Sequence, residues 1–258
     1  MDSHRKSFSV SPEKVDAVLF DLDGVLTATA KVHAVAWKKT FDDYLRKRSD
    51  RTAELFVPFD ITDDYSTYVD GKLRYDGVDS FLKSRGIDLP WGDSSDPPGD
   101  GTVCGIGNFK NDIVNETIES EGVEVFEGSV ALVKRLREIG IRTAVVSASR
   151  NCRTVLKAAG IEDLFDVRVD GVVAEEMKLP GKPAPDTFLK AAHLLGVEPA
   201  RAVVVEDAVS GVRAGRAGGF GLVVGVDRKG NPEALKENGA DVVVKDLAEL
   251  LLEREGER

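Results

Sequence analysis

Short runs of apolar, mostly β-branched residues recur along the chain, and each predicts a β-strand. Stretches with apolar positions at helical spacing lie between most of these runs. Strands that alternate with helices predict an α/β fold, in which a doubly wound parallel sheet is covered by helices on both faces. The predicted strands are DAVLF (16–20), IRTAVVSAS (141–149), DVRV (166–169), RAVVVED (201–207), GLVVGV (221–226) and DVVV (241–244).

The helical stretches carry start and stop signals. SVALVKRLREIG (129–140) places Val130 and Val133 near one face, and its final Gly140 suits a helix C-cap. NPEALKENG (231–239) begins with Asn231 as the N-cap and has Pro232 at the first helical position. Both stretches are therefore predicted to be helices of the α/β unit.

The alternation of strands and helices is interrupted between about Ala30 and Phe126. We interpret this stretch as a mainly helical domain inserted after the first strand. The predicted division is an α/β core over residues 1–30 and 127–258 and a helical cap over residues 31–126. Within the cap we expect an amphipathic helix in KVHAVAWKKTFDDYLRKR (31–48), a loop in WGDSSDPPGDGT (91–102) and a helix in FKNDIVNETIESEG (109–122).

Composition narrows the class of protein. A chain of 258 residues can bury a substantial core, and its net charge of −10 argues against general nucleic-acid binding. Two cysteines, Cys104 and Cys152, cannot form a disulfide framework or a zinc site. The N-terminal residues show no apolar signal segment, and the longest apolar runs are too short to span a bilayer. We expect a monomeric cytoplasmic protein with no membrane partner.

Polar residues follow three of the predicted strands. In open parallel sheets, ligands bind outside the carboxyl ends of the strands, so these residues are expected to meet at one edge. A Gly/Pro-rich loop, LPGKPAPD (179–186), adds Lys182. The strand-end residues are Asp21 and Asp23 after the first strand, Ser147, Ser149, Arg150 and Asn151 after the second, and Glu206 and Asp207 after the fourth.

Each of these features has an ordinary interpretation when taken alone. An Asp-x-Asp-Gly sequence is often a turn or a calcium loop, although the calcium-loop pattern fails here because Leu26 replaces its glycine and Val32 its closing glutamate. Lys182 alone suits a solvated surface lysine, and Glu206–Asp207 alone suits a helix N-cap. The coincidence of all of them at one sheet edge is what favours a functional site.

The combination suits phosphoryl transfer. Carboxylates bind Mg²⁺, and an ion at Asp21 and Asp207 would offset the repulsion between neighbouring acids. Ser147, the backbone N–H groups near Ala148, and Lys182 could hold a phosphate. A carboxylate nucleophile can form an aspartyl-phosphate, while a second acid, Asp23, moves a proton to or from the sugar or water oxygen.

Four motifs resemble those of the haloacid dehalogenase superfamily of phosphatases and phosphomutases. FDLDGVLT (20–27), followed by KVHAVAW (31–37), and SASRN (147–151) are most similar to its β-phosphoglucomutase subgroup. The resemblance implies a Rossmann-like α/β core with a helical cap inserted after the first motif, in agreement with the interrupted stretch. The four motifs are DLDGVLT (21–27), VVSAS (145–149), GKPAPD (181–186) and VVVEDAVSGVRAGRAGG (203–219).

The resemblance also implies roles for individual residues. Asp21 would be the nucleophile and Asp23 the general acid/base. Lys182 and Ser147 would bind the transferring phosphoryl group. The implied Mg²⁺ ligands are Asp21, the main-chain oxygen of Asp23, Glu206 and Asp207, and the residues implied for the distal phosphate are Ser149, Arg150 and Asn151.

The cap residues implied by the resemblance are His33 at the hinge, Trp37 on the first cap helix, Lys110 against the sugar and Arg74 against phosphate. His33 and Trp37 also suit ordinary packing roles. The sequence departs from the subgroup at Ala28, where an Asp is usual, and in a cap that is longer and richer in Tyr and Asp.

Three functions follow as hypotheses. The first is a Mg²⁺-dependent mutase that interconverts β-glucose 1-phosphate and glucose 6-phosphate. The second is a sugar-phosphate phosphatase with the same nucleophile, which passes the phosphoryl group to water. The third is a non-catalytic sugar-phosphate sensor, which predicts the loss of a core acid. Because Asp21, Asp23, Lys182 and Asp207 are all present, an enzyme is favoured, and SASRN with Lys110 favours the mutase.

Overall fold

Six parallel strands form a single sheet at the centre of the α/β core. The computed structural model describes residues 11–52, 54–228 and 230–252. Along the sheet the strand order is β3-β2-β1-β4-β5-β6, so β1 lies between β2 and β4. The strands are β1 (Ala17–Phe20), β2 (Arg142–Val146), β3 (Val167–Val169), β4 (Ala202–Glu206), β5 (Leu222–Val226) and β6 (Val242–Val244).

Every predicted strand is present, but the second is shorter than expected. The prediction ran to Ser149, whereas β2 ends at Val146. Ser147 makes one last hydrogen bond to the neighbouring strand, from its N–H to Val169 O at 3.0 Å. Beyond it the chain leaves the sheet, and Ser149 lies in the loop that follows. The polar residues therefore stand in a loop at the sheet edge, not within the ladder.

Ten α-helices are found among the described residues, and those after the insertion cover both faces of the sheet. The face that carries Ala17 and Leu19 packs against α7, while the face that carries Val18 and Phe20 packs against α4 and α5. The helices are α1 (Ala30–Thr52), α2 (Arg74–Ser84), α3 (Val103–Glu121), α4 (Glu127–Glu138), α5 (Cys152–Ala158), α6 (Gly171–Glu176), α7 (Asp186–Leu195), α8 (Val209–Ala217), α9 (Pro232–Glu237) and α10 (Glu249–Leu252).

This architecture confirms the predicted doubly wound α/β fold. In α4, Val130 and Val133 are buried as expected, and Gly140 follows with a φ of 79°. The side chain of Asn231 caps α9 by accepting from Ala234 N at 3.3 Å, and Pro232 is the first helical residue. The local signals and the packed fold agree at these positions.

The stretch between β1 and α4 is mainly helical, as predicted. It contains α1, a π-helix (Tyr65–Val69), α2 and α3. Its own apolar cluster centres on the rings of Phe41, Phe59 and Phe81, with centroids 4.1 to 5.2 Å apart. The segment 91–102 forms a loop, as expected.

Helix α3 begins earlier than the sequence predicted. The expected start was residue 109, but the helix starts at Val103, and Thr102 caps it by accepting from Gly105 N at 2.9 Å. Gly105 and Gly107 lower helix propensity and hid this first turn. Burial of Ile106 in the cluster of the insertion outweighs that local cost.

The helical insertion is not isolated from the sheet. Ile113 and Val114, in the second half of α3, pack in the same apolar cluster as Phe20 and Val133. The division into a core and a cap at residues 31–126 stays a prediction. Within the described part of the chain, no helix combines the length and the apolar character needed to cross a bilayer.

Candidate active site

Strand β1 delivers two carboxylates to the carboxyl edge of the sheet. Phe20 pairs with Val205 of β4, and the next residue, Asp21, still donates its backbone N–H to Val205 O at 2.9 Å. The chain then turns at Gly24, whose φ is 91°. A Cβ atom there would overlap the carboxylate of Asp207, so the close approach of the turn to β4 requires glycine.

Lys182 joins the ends of β1 and β4. Its Nζ lies 2.6 Å from Asp21 Oδ1 and 2.5 Å from Glu206 Oε1, and it donates to Val146 O at 3.2 Å. Burial lowers the pKa of this lysine, but the charges of Asp21 and Glu206 outweigh burial and raise it. The lysine is therefore a fixed positive charge beneath the acids.

Three acids form a cluster around this lysine. Ligand oxygens of Asp21, Glu206 and Asp207 all lie within 4.8 Å of one another. Burial raises the pKa of Asp21, and Glu206 raises it further, against the opposing effect of Lys182. Clustered carboxylate oxygens are the ligands that Mg²⁺ prefers, so these three acids fit this ion.

The second carboxylate of the β1 turn has different surroundings. The hydroxyl of Thr29 donates to Asp23 Oδ1, and His33 Nε2 lies 3.3 Å from the same oxygen. Burial raises the pKa of Asp23, but His33 and Thr29 outweigh burial and lower it to about 2. The pKa of Asp21 is thus shifted upward and that of Asp23 downward from the ordinary value, although only one residue separates the two acids.

Lys110 links helix α3 to this second acid through a histidine. Its Nζ lies 2.6 Å from His33 Nδ1. An ammonium group only donates, so Nδ1 accepts and the ring proton is assigned to Nε2, which faces Asp23. Burial, together with the charge of Arg74, lowers the pKa of Lys110 to about 7.

The position of Trp37 suits both of the roles considered for it. Its ring stacks on Phe41 at 5.1 Å with an interplanar angle of 8°, as a packing residue does. It also lines the pocket, where Lys110 Nζ lies 4.8 Å from the ring centroid. His33 likewise is buried and faces the pocket.

An amide bridge lies on the side of the pocket opposite the acids. Asn111 Oδ1 accepts from Arg74 Nη2 at 2.7 Å and from Asn151 Nδ2 at 2.7 Å. Arg74 and Asn111 belong to the insertion, whereas Asn151 follows β2. Beside them, Arg150 forms an ion pair with Glu175. Two nitrogen donors therefore converge on one oxygen where a phosphate is predicted to bind.

One pocket brings together most of the residues singled out in the sequence. Two predicted residues, Lys182 and Ser147, do not line the pocket but contact residues that do. Lys182 contacts Asp21, and Ser147 Oγ accepts from Ser149 N at 3.0 Å. The individual roles stay predictions. The predicted residues that line the pocket are Asp21, Asp23, His33, Trp37, Arg74, Lys110, Ala148, Ser149, Arg150, Asn151, Glu206 and Asp207.

Sequence reasoning missed several residues that line this pocket or support its walls. Thr29 and Asn111 carry no motif signal of their own, although each contacts a predicted residue. Tyr65 belongs to the π-helix, a form that is frequent at functional sites and is not visible in an apolar pattern. The missed residues that line the pocket are Tyr65, Val69, Asp70, Gly71, Lys72 and Ala208.

The high content of Tyr and Asp in residues 60–76 was the feature of the sequence that could have indicated that this segment lines the pocket. Burial raises the pKa of Tyr65, and Asp70 and Asp207 raise it further, so its hydroxyl keeps its proton beside the acids. Burial also raises the pKa of Cys152, so this thiol suits an inert packing role.

Known proteins resemble this chain over nearly its full length. The beta-phosphoglucomutase of Mycobacterium tuberculosis (strain CDC 1551 / Oshkosh) is 54% identical over 243 residues, 93% of each chain. The beta-phosphoglucomutase of Bacillus subtilis (strain 168) is 31% identical over 238 residues, 92% of each chain. The crystal structure of beta-phosphoglucomutase from Clostridium difficile matches with a TM-score of 0.73 and 28% identity, covering 92% of this chain and 93% of that one.

A family model agrees with these likenesses. The model described as haloacid dehalogenase-like hydrolase matches residues 15–219, which include both carboxylates of the β1 turn, Lys182 and the acids that follow β4. The match covers most of the chain, and the relatives described above are named as enzymes. This chain is an enzyme that belongs to the haloacid dehalogenase-like hydrolase family.

Proposed function

We propose that this enzyme transfers a phosphoryl group between the hydroxyls of a sugar phosphate through an aspartyl-phosphate, as a β-phosphoglucomutase. The reaction would interconvert β-glucose 1-phosphate and glucose 6-phosphate. The likeness to proteins named beta-phosphoglucomutase supports the substrate class. The observation that carries the mechanism is the contact of Asp21 with Lys182, while Asp23 is held separately by Thr29 and His33.

In this proposal Asp21 is the nucleophile. Its Oδ1 contacts Lys182, which leaves Oδ2 as the oxygen that would attack phosphorus. In that step the bond from Asp21 to phosphorus forms and the bond from phosphorus to the sugar oxygen breaks. Lys182 would neutralise charge on the transferring group, because phosphoryl transfer depends mainly on positioning and charge.

Asp23 is placed to move the proton. A pKa of about 2 keeps it ionised at neutral pH, so from the phosphorylated enzyme it first acts as a base that takes the proton of the attacking sugar hydroxyl. It then returns that proton to the sugar oxygen that leaves in the second transfer. One group thus serves both halves of the reaction, and Thr29 and His33 hold it in place.

The metal site fits magnesium. Asp21, the main-chain oxygen of Asp23 and Asp207 would hold the ion, with Glu206 beside them. Mg²⁺ would supply positive charge to the phosphate oxygens. The Glu206 carboxylate already contacts Lys182 Nζ at 2.5 Å and accepts from Ala208 N at 3.1 Å, which suits a residue that orients the lysine and the loop.

The distal side of the pocket favours a mutase over a phosphatase. A mutase must hold a second phosphate, and Arg74 and Asn151 already converge on one oxygen there, at 2.7 Å each. A phosphatase needs no such pair. A sensor is disfavoured because Asp21, Glu206 and Asp207 are clustered at the sheet edge and Lys182 contacts two of them.

The test is an assay with β-glucose 1-phosphate, Mg²⁺ and a trace of β-glucose 1,6-bisphosphate, in which glucose 6-phosphate and inorganic phosphate are both followed. The proposal expects glucose 6-phosphate in large excess over phosphate. Release of phosphate without isomerised sugar would identify the phosphatase instead.

A further inference from the structure

A second, larger cavity adjoins the catalytic pocket. The catalytic pocket encloses about 70 Å³, whereas this cavity encloses about 490 Å³, which is in the range of small-molecule sites. It lies between the loop that precedes α3 and the segment around α6. Arg74, Ala148 and Arg150 line both spaces, so the two cavities adjoin at these residues.

The loop that forms the outer wall of the cavity is held in place by hydrogen bonds. Asn108 Nδ2 donates to Ser94 O at 3.1 Å and to Asp96 O at 2.9 Å. Thr102 Oγ1 donates to Asp96 Oδ2 at 2.7 Å, and Cys104 N donates to Trp91 O at 3.0 Å. A loop of this length without regular structure that is nevertheless tied down is typically functional.

This loop presents Trp91 at the cavity wall. The side chain stays 48% exposed, an unusual position for the largest apolar side chain, and Leu179 and Pro180 line the same space. Exposed aromatic rings within a concave, mixed wall commonly contact ligands. The ring offers a flat apolar surface that suits the C–H face of a pyranose.

The charges around the cavity favour a neutral ligand. Three cations and three acids line it, so their formal charges cancel, and Arg150 is already paired with Glu175. Polar groups of both signs suit the hydroxyls of a sugar better than a further phosphate. The charged lining residues are Arg74, Arg150, Lys178, Asp76, Asp93 and Glu175.

We propose that this cavity binds a neutral glycosyl unit joined to the phosphorylated sugar, so that phosphorylated disaccharides are substrates. The inference rests on the proposed phosphoryl transfer at Asp21. A disaccharide anchored at Trp91 presents only one end to Asp21, because the second ring prevents the sugar from turning round in the pocket. The bond from Asp21 to phosphorus forms as the bond from phosphorus to the disaccharide oxygen breaks, and Asp23 gives that oxygen its proton. Water then attacks phosphorus, returns a proton to Asp23 and displaces Asp21, which gives disaccharide and inorganic phosphate.

The experiment compares two reactions in the same enzyme. One is isomerisation of β-glucose 1-phosphate, and the other is phosphate release from trehalose 6-phosphate and maltose 6′-phosphate. Equilibrium binding of the two disaccharide phosphates is measured in parallel by calorimetry. The variants are Trp91→Ala, Trp91→Phe, which keeps an aromatic ring, and Leu55→Ala as the control, since Leu55 is 88% exposed outside both cavities.

The proposal expects at least one disaccharide phosphate to be hydrolysed. Trp91→Ala should lower kcat/KM for it at least tenfold and weaken its binding to match, while isomerisation of β-glucose 1-phosphate stays within twofold. Trp91→Phe should retain most of the activity, and Leu55→Ala should change neither reaction.

Two results separate this inference from the proposed function. If β-glucose 1-phosphate is isomerised but neither disaccharide phosphate binds, the glycosyl site is overturned and the proposed function stands. If no sugar phosphate is turned over, the proposed function fails. In that case disaccharide binding that depends on Trp91 still supports the site, and equal binding by wild type and Trp91→Ala overturns it.

Discussion

Lys182 Nζ lies 2.6 Å from Asp21 Oδ1, with both side chains almost fully buried at the carboxyl edge of the sheet. The same nitrogen contacts Glu206, so one ammonium group holds two carboxylates that would otherwise repel each other. Removing one partner of a buried ion pair leaves an uncompensated charge, and this typically costs about 3–5 kcal/mol.

Lys182→Met is therefore expected to destabilise the protein and to abolish activity. We expect the free energy of unfolding to fall by about 3–5 kcal/mol and kcat to fall by at least about 10²–10³-fold. Urea unfolding and the mutase assay measure the two effects. The control is Lys236→Met on the exposed side of α9, which should change neither. A folded Lys182→Met enzyme with near-normal kcat would contradict the assigned role.

Deprotonation of Lys110 is expected to make kcat/KM depend on pH. Its pKa of about 7 means that the folded protein loses this proton as the pH rises through 7, well before a free lysine would. We expect kcat/KM to fall on the alkaline side with a midpoint near 7. Lys110→Arg should move that limb upward, because arginine stays protonated. An alkaline limb in the same place in both enzymes would contradict this assignment.

The same shift predicts how stability changes with pH. Between pH 7 and about 10 the unfolded chain binds more protons at Lys110 than the folded one, so folding is favoured increasingly as the pH rises. The free energy of unfolding of wild type, taken relative to Lys110→Met, should therefore increase over this range. Chemical denaturation at several pH values measures it.

Much of this site could be predicted from the sequence because its residues stand at strand ends. The apolar run of β1 fixes where Asp21 emerges, and a parallel sheet brings it beside Glu206 of β4. The contact of Lys182 with these acids could be expected only from the motif, because nothing local determines where its loop lies.

The rest depends on tertiary contacts that a linear pattern does not contain. Asn111 lies one residue beyond Lys110 in an unremarkable helical stretch, and its importance comes from Arg74 and Asn151, which are 37 and 40 residues away in the chain. The early start of α3 was hidden because packing of Ile106 outweighs two glycines. The wall at Tyr65 is a π-helix, which has no simple apolar period.

Asn111 is expected to influence substrate binding more than chemistry. Asn111→Ala removes the oxygen that holds Arg74 and Asn151 together across the pocket. We expect KM for β-glucose 1-phosphate to rise by at least about tenfold, with kcat changed less, since a hydrogen bond to a charged group contributes about 1.5–3 kcal/mol. Steady-state kinetics measure the two parameters. Asn115→Ala, one turn farther along α3, is the control, and a loss confined to kcat would contradict the prediction.

Magnesium is expected to stabilise the folded protein through the acid cluster. Saturating Mg²⁺ at about 100 times its Kd should add about 2.7 kcal/mol, because it binds only the folded chain. Removal of the ion with EDTA should reverse the gain and abolish turnover. Asp207→Asn should lose most of the stabilisation, whereas Asp163→Asn, an exposed substitution away from the cluster, should keep it. Equal stabilisation of both variants would contradict a metal site at these acids.

The most direct test of the account is to find the phosphoryl group on Asp21. The enzyme is incubated with β-glucose 1,6-bisphosphate labelled with ³²P, quenched in acid, digested and mapped by mass spectrometry. The account predicts an acid-stable, hydroxylamine-sensitive label on the peptide that contains Asp21, and no label in Asp21→Asn. Label on another residue, or equal labelling of Asp21→Asn, would contradict it.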